Sequence, residues 1–361
     1  AGAFGGSINL LTQEMPQEPG AKIHASAGSF STFRNSVQFA TGRSLGRFAM
    51  EGRLSRISSE GYIDRASSEL KSFFVSAGYF GEKSLVRLNV FGGKEITYQA
   101  WEGVPSELLE RQRTFNPAGL YLGPDGDTLY YENQVDDYQQ DHYQLFYSLM
   151  PVRGLTLNLA GHYTRGFGFY ESYRQEESFT EYGLSDVILG GDTLFTTDLV
   201  RRKHLDNDFY GSTFSLLYDR STKWKLAAGG AYNEFKGWHF GRIVWARYAS
   251  DGGIEKDYYR NRGIKKDLNS YLKLTWQAGT KLGLFGDVQY RRVTYSMRGT
   301  HDDLRVLDQD HSFDFFNPKA GLTLTFNPRH RGYASVAVAH REPSRNDYRD
   351  ADPEGSLLKN D

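Results

Sequence analysis

Hydrophobic and polar residues alternate along many segments of the chain. In residues 155–165, Leu155 and Leu157 lie on one face of an extended segment, and Thr156 and Asn158 lie on the other. The same alternation recurs in residues 47–55, 282–291 and 320–326. A period of two predicts β-strands with one face toward an apolar medium and the other toward water. A soluble antiparallel sheet packed on one side has the same period, so the period leaves both architectures open.

Together with the turn residues that bound it, this pattern predicts about thirteen strands. In chain order, the predicted strands are 21–30, 33–43, 47–58, 70–81, 84–96, 139–149, 155–165, 206–220, 224–238, 266–277, 282–300, 313–326 and 332–341. Strands of ten or more residues suit a tilted crossing of a membrane.

The lengths of the connections decide between the two architectures. Short turns lie at 44–46, 82–83, 150–154, 221–223, 278–281 and 327–331. Long polar connections lie at 59–69, 97–138, 166–205, 239–265 and 301–312. Ordinary domains join most elements by a few residues, whereas here every second connection is long. Outer-membrane barrels have this asymmetry, with short periplasmic turns and long extracellular loops. The sequence therefore predicts an all-β fold, an antiparallel transmembrane β-barrel.

The predicted number of strands is odd, although single-chain bacterial barrels have an even number. An open barrel would also expose unpaired backbone groups to lipid. We therefore expect the chain to be a fragment of a larger barrel, seen as a curved antiparallel sheet with its edges at 21–30 and 332–341.

Composition agrees with this prediction and excludes several other classes. Only 39% of the residues are hydrophobic, and the mean hydropathy is −0.58, because alternating strands contain no long apolar run. The 24 Tyr and 24 Phe suit strands and the aromatic girdles of membrane barrels. The absence of Cys excludes a disulfide scaffold. A net charge of −1 gives no basic footprint for nucleic acid.

The first twelve residues carry a distinctive motif. The run Gly2-Ala3-Phe4-Gly5-Gly6 leads into a short β-like segment, Ile8 to Thr12. It closely resembles the last segment of the plug domain in TonB-dependent outer-membrane receptors. Five further stretches resemble receptors of the ferric-siderophore and ferric-citrate type from the Bacteroidetes group: 97–105, 113–119, 136–145, 162–171 and 341–348.

The resemblance implies both an architecture and a function. It assigns residues 1–20 to the end of the plug and a connector, and residues 21–361 to the N-terminal portion of a barrel of about 22 strands. It implies high-affinity uptake of ferric chelates across the outer membrane of a Gram-negative bacterium. The expected partners are TonB, reached through a plug region beyond this chain, the ferric chelate and outer-membrane lipid. No cofactor and no metal site are predicted.

The loops at 97–138 and 166–205 hold the candidate ligand contacts. Guanidinium groups can bind the oxygens of an anionic ferric chelate, and aromatic rings can cover its apolar rim. The candidates are Trp101, Arg111, Arg113, Tyr170, Tyr173 and Arg174. The alternative is that these residues pack the loops together or belong to an aromatic girdle.

No catalytic motif is found, so we predict that the protein is not an enzyme. Pro124-Asp125-Gly126-Asp127 is typical of a hairpin turn. The pairs Glu51/Arg53 and Asp287/Arg291 are expected to line the water-filled interior. Three alternatives to ferric-chelate uptake remain: import of a glycan or corrinoid, a passive porin-like channel, and a soluble β-rich binding protein or enzyme.

Overall fold

The computed structural model consists mainly of strands and describes residues 15–43, 46–221, 223–249, 254 and 256–350, without the side chains of 349 and 350. The strands are β1 (Pro19–Gly28), β2 (Thr32–Thr41), β3 (Phe48–Ser59), β4 (Ser68–Phe80), β5 (Ser84–Tyr98), β6 (Leu120–Leu122), β7 (Thr128–Tyr130), β8 (Val135–Val152), β9 (Leu155–Ser178), β10 (Val187–Leu189), β11 (Asp192–Leu194), β12 (Thr196–Tyr218), β13 (Trp224–Ala246), β14 (Asp257–Gln277), β15 (Leu282–Gly299), β16 (Gln309–Asn327) and β17 (His330–Ala337).

Thirteen of these strands form one antiparallel sheet in chain order, β1-β2-β3-β4-β5-β8-β9-β12-β13-β14-β15-β16-β17. Each predicted strand is present, and β1 and β17 are the two edges, as expected. Two small hairpins, β6–β7 and β10–β11, lie within the long connections. The predicted turn at Pro124–Asp127 joins β6 to β7, where Gly126 supplies the required positive φ of 79°. The predicted plug segment, Gly2, Ala3, Phe4, Gly5 and Gly6, lies outside the described residues.

The predicted loop boundaries are wrong at 97–138, 166–205 and 239–265. Strand β9 continues to Ser178, β12 already begins at Thr196, and β8, β13 and β14 are extended in the same way. Above the membrane both faces of a strand meet water, so the apolar alternation disappears while the backbone ladder continues. The hydrophobic pattern therefore reports only the part of each strand that crosses the apolar layer.

The two faces of the sheet differ in chemistry. The outer face exposes large apolar side chains on neighbouring strands, among them Leu145, Leu159, Phe214, Leu272, Val288 and Phe316. The inner face carries polar side chains at the alternate positions, among them Asn89, Gln144, His162, Asn233 and Asn317. Exposed apolar side chains on this scale are stable only against lipid. Among the described residues, no helix has the length and apolar character needed to cross a membrane.

Aromatic residues mark the two borders of the apolar band. On the upper border, the hydroxyls of Tyr163, Tyr232 and Tyr290 donate to Asp208 (2.7 Å), Glu234 (2.9 Å) and Asp314 (2.5 Å). Trp224 and Trp276 form a cross-strand pair at the lower border, near the tight turns. Trp224 and Tyr232 are eight residues apart on β13, which is about 20 Å of height for a strand tilted by about 40°. This height is close to that of the apolar band of an outer-membrane barrel.

Charged residues line the inner face, as predicted, but with other partners. Glu51 lies 3.6 Å from Arg87, and both side chains are largely buried. Arg291 is held between Asp267 (2.5 Å) and Glu342 (2.7 Å), and Lys265 also reaches Glu342 at 2.5 Å. Sequence proximity suggested Arg53 and Asp287 as partners, but neighbours across the sheet lie closer than residues two apart on one strand.

Residues 338–350, called here the inner segment, lie along the inner face after β17. His340 N donates to Asn317 Oδ1 at 3.0 Å, and the ring of Tyr348 stacks on His311 with centroids 4.0 Å apart. A short helix, α1 (Arg345–Asp350), ends the described chain. The predicted strand 332–341 therefore ends early, because the stretch Arg341–Tyr348 follows the inner wall instead of the ladder.

Candidate functional site

The ends of the strands opposite the tight turns carry the long connections and the candidate site. Tyr170 on β9 and Lys203 on β12 are cross-strand partners on the inner face. The Nζ atom of Lys203 lies 5.9 Å from the Tyr170 ring centroid and 2.5 Å from Oδ2 of Asp302. The Trp101 ring meets Tyr170 edge to face with centroids 5.5 Å apart, and Trp101 is 61% exposed. We call Trp101, Tyr170, Lys203 and Asp302 the vestibule cluster.

A second cluster holds the connection between β9 and β12 in place. Arg201 donates to the Tyr182 hydroxyl at 2.8 Å, and that hydroxyl donates to Glu177 at 2.7 Å. Tyr182 also packs against Leu199 and Ile243, all three being almost fully buried. Burial raises the pKa of Tyr182 above its ordinary value, so the phenol remains a protonated donor.

The connection from residue 99 to residue 134 is anchored by buried polar groups. Asn116 donates to the carbonyls of Asp64 (3.0 Å) and Gln99 (2.9 Å), and Gln99 donates to the carbonyl of Glu171 at 2.8 Å. The Glu171 carboxylate accepts hydrogen bonds from Tyr131, Asn133 and Arg202, each at 2.5 Å. This rim network fixes the connection on the strand ends. Burial, and then the bond to Glu171, raise the pKa of Tyr131 and keep its hydroxyl protonated.

The family match decides the identity of the barrel. The family described as "TonB dependent receptor-like, beta-barrel" matches residues 81–356. The chain belongs to this family. Its members are outer-membrane transporters of Gram-negative bacteria and not enzymes. A comparison with curated protein sequences gave no match.

Solved receptors have the same fold. The ferric-catecholate import receptor Fiu of E. coli K12, in its closed form, matches with a TM-score of 0.69 at 14% identity, over 92% of this chain and 52% of Fiu. The siderophore receptor PiuA of Acinetobacter baumannii gives 0.63 at 12%, over 91% and 50%. The ferric citrate transporter FecA gives 0.61 at 9%, over 90% and 45%. The chain thus spans about half the length of the receptors it matches.

The candidate ligand residues of this receptor chain divide between the two faces. Trp101 and Tyr170 meet in the vestibule cluster. Tyr173 lies on the opposite face, where its hydroxyl donates to Asp198 at 2.9 Å and its ring packs against Tyr121 at 4.6 Å. Positions three apart on a strand point to opposite sides, which separates Tyr170 from Tyr173.

The three candidate arginines are all exposed, Arg111 and Arg113 on the connection after β5 and Arg174 near the end of β9. Arg111 and Arg113 lie in the turn-rich stretch after Pro105, and Arg174 lies 3.7 Å from Glu177. Sequence reasoning missed Lys203 and Asp302, because their contact joins residues 99 positions apart. It also missed the roles of Gln99, Asn116 and Glu171, although all three lie within stretches that carry the family resemblance.

A group of potential cation ligands lies beside the vestibule cluster. Ligand atoms of His301, Asp302 and Asp303 fall within 4.8 Å of one another. Asp302 is already paired with Lys203, and Asp303 accepts from Arg305 Nε at 2.6 Å. Burial of Asp302 tends to raise its pKa, but the bond from Lys203 outweighs burial and lowers the pKa of Asp302. The carboxylates are therefore neutralised by side chains of this chain.

Proposed function

We propose that the intact receptor imports an anionic ferric chelate across the outer membrane, energised through TonB by way of its plug region. The observation that carries the proposal is the vestibule cluster, in which the exposed Trp101 indole meets Tyr170 on the water-facing wall, with the Lys203–Asp302 ion pair on the other side of Tyr170. Fiu and FecA, by their names a ferric-catecholate receptor and a ferric citrate transporter, add support at the level of the fold.

The candidate side chains suit an anionic ligand with an apolar rim. Trp101 and Tyr170 offer aromatic faces, and Arg111, Arg113 and Arg174 offer guanidinium groups for carboxylate, catecholate or hydroxamate oxygens. We assign Tyr173 to anchoring the connection on the outer face instead of contacting the ligand. The rim network holds the 99–134 connection, so ligand groups meet a preorganised surface and less entropy is lost on binding.

Binding to the intact receptor tests this proposal. Replacing Arg111, Arg113 and Arg174 together by Ala should weaken affinity for ferric catecholate or ferric citrate at least about tenfold. Trp101→Ala should weaken it by about three- to tenfold. A matched control replaces Arg329, on the tight turn at the opposite end, and Arg331, at the start of β17, by Ala and should leave affinity unchanged. Unchanged affinity in the triple variant would remove those arginines from the site.

Import of a glycan or a corrinoid, and passive conduction through a channel, are the alternatives to ferric-chelate uptake, and each predicts a different result. A deletion strain that recovers growth on a glycan or a corrinoid, and on no ferric chelate, identifies an importer of another substrate. Steady single-channel conductance through the intact protein identifies a passive channel. The ferric-chelate proposal predicts neither result.

A further inference from the structure

Three buried polar atoms beneath the connection between β9 and β12 have no hydrogen-bond partner in the described chain. They are Oγ of Ser172, Nε of Arg201 and the hydroxyl of Tyr258. Ser172 and Arg201 are cross-strand partners on the water-facing side of the sheet. Arg201 donates to the Tyr182 hydroxyl at 2.8 Å, and the rings of Tyr182 and Tyr258 lie 4.8 Å apart. We call Ser172, Arg201 and Tyr258 the arginine pocket.

Other side chains of this chain already enclose the arginine pocket. Ser172 is only 5% exposed, and Tyr182, which lies against Arg201, is 3% exposed. Tyr182 ends the 3₁₀ turn Phe179–Tyr182 and packs against Leu199 and Ile243. Further chain in the intact receptor can add cover but cannot expose atoms that are buried here. Native proteins pair nearly all buried polar groups, so three unpaired atoms around one arginine indicate a missing partner.

The missing partner accepts hydrogen bonds. A guanidinium group only donates, and a hydroxyl group can donate to an acceptor placed beside it. Burial raises the pKa of Tyr258, although the nearby charge of Arg201 opposes this, so the phenol keeps its proton. The arginine pocket therefore offers three donors.

Arg201 also lacks a negative charge beside it. Among the described residues, no carboxylate oxygen lies within 4.0 Å of the Arg201 nitrogens. The next two residues of β12 show the usual arrangement, since Arg202 and Lys203 each reach a carboxylate oxygen at 2.5 Å. The absence of such a partner sets Arg201 apart from its neighbours on the same strand.

One carboxylate serves two guanidinium groups in this region. The Tyr182 hydroxyl accepts from Arg201 and donates to Glu177 at 2.7 Å, so Arg201 reaches Glu177 only indirectly. Glu177 also lies 3.7 Å from Arg174. One positive charge therefore remains uncompensated, and a buried charge without a counter-charge is costly. A water molecule could accept hydrogen bonds here but would not supply the missing negative charge.

The surroundings of the pocket select a small anion. Leu199 and Ile243 are almost fully buried beside it and offer no side-chain hydrogen bonds. Phosphate and sulfate have four oxygens, and some of these would stay unpaired against apolar walls. A halide ion is a single atom that accepts donors from any direction.

We propose that the arginine pocket binds one chloride ion, which fixes the connection between β9 and β12 on the inner wall. The Nε–H group of Arg201 and the hydroxyls of Ser172 and Tyr258 donate to the ion, and its charge balances the second guanidinium group. Because Arg201 also holds Tyr182, the bound ion stabilises the turn Phe179–Tyr182. This site is separate from the imported ligand and does not depend on which substrate the receptor carries.

The test compares the full-length receptor in detergent with sodium chloride and with sodium gluconate at equal ionic strength. Hydrogen exchange in peptides covering 172–184 should slow by about tenfold once chloride reaches about ten times its Kd. Peptides from β1–β4 should exchange equally in the two salts. Bromide should act like chloride, and sulfate should act like gluconate.

Variants connect the chloride effect to the pocket. Arg201→Gln should abolish it. The double variant Ser172→Ala, Tyr258→Phe keeps the charge and should raise the chloride concentration for half of the effect by about tenfold, because two donors are lost. Arg242→Gln is the matched control and should keep the full effect, because Arg242 already pairs with Asp257 at 2.6 Å. Circular dichroism and gel filtration verify that each variant is folded, and the double variant decides if Arg201→Gln is not.

Crystals of the intact receptor grown in bromide provide the direct observation. An anomalous peak beside Nε of Arg201 would support the proposal. Equal exchange in chloride and gluconate, together with no such peak, would overturn it and assign the pocket to water. An equal effect of sulfate would reduce the observation to ionic strength and also overturn the proposal. So would a chloride effect that persists unchanged in the folded Arg201→Gln or double variant.

Discussion

The Nε atom of Arg202 donates to Oε2 of Glu171 across 2.5 Å, and the Glu171 side chain is only 3% exposed. Tyr131 and Asn133 share the other carboxylate oxygen. One buried charge thus joins β9 and β12 to the end of the 99–134 connection. A buried carboxylate is tolerated only when its oxygens accept hydrogen bonds. Here two donors, Tyr131 and Asn133, come from the 99–134 connection, and the third, Arg202, comes from β12.

Glu171→Ala should release the end of the 99–134 connection. Arg202, Tyr131 and Asn133 would lose their shared acceptor, which costs about 1–3 kcal/mol of local opening free energy, because Arg202 and Asn133 are partly hydrated. Hydrogen exchange measured in peptides covering 118–134 should accelerate accordingly, with little change in β1–β4. Glu132→Ala, an exposed neighbour on the same connection, is the control. Equal exchange in the two variants would show that Glu171 does not anchor it.

Adjacent residues on β9 test which face meets lipid. Leu159→Lys puts a charge near the middle of the apolar band and should destabilise the folded barrel in lipid by about 2–4 kcal/mol. Asn158→Lys places the same side chain on the water-facing side and should cost under about 1 kcal/mol, because its charge remains hydrated there. Urea unfolding of the intact receptor in vesicles measures both. A similar cost at the two positions would contradict the assignment of faces.

The sequence contains no Cys, so introduced thiols can be labelled without background. Trp101→Cys should react with a membrane-impermeant maleimide on intact cells, because this position is exposed among the long connections. Arg329→Cys, on a tight turn, should react only after the outer membrane is permeabilised. The reverse result would show that the long connections face the periplasm and the tight turns face the outside of the cell.

Acid should loosen the connection between β15 and β16. The hydrogen bond from Arg305 lowers the pKa of Asp303 to about 2, from an ordinary value of 3.8. A depressed carboxyl pKa stabilises the folded state above pH 3.8, and this contribution disappears as the pH falls toward 2. Because the pair is largely exposed, pepsin cleavage within 300–308 should rise by no more than about fivefold over this interval. Asp303→Asn should remove the pH dependence; if it persists, Asp303 is not its source.

Sequence patterns predicted the sheet well because lipid imposes strict alternation on every crossing. They failed above the upper border, where Glu171, Tyr173 and Glu177 all meet water or loop atoms and no apolar period remains. The opposite orientations of Tyr170 and Tyr173 follow from their spacing once β9 is known to continue to Ser178. The pairing of Tyr170 with Lys203 could not be predicted, because it depends on the register of two strands joined by a long connection.

Uptake of iron by whole cells tests whether the intact receptor imports ferric chelates with energy from TonB. Cells that express the intact receptor as their sole route should accumulate radioactive iron from ferric catecholate or ferric citrate, and deletion of TonB should abolish the accumulation. The vestibule variant Trp101→Ala should require at least about threefold more chelate for the same rate. Accumulation that persists without TonB, or no accumulation from any ferric chelate at any concentration, would contradict the proposed function.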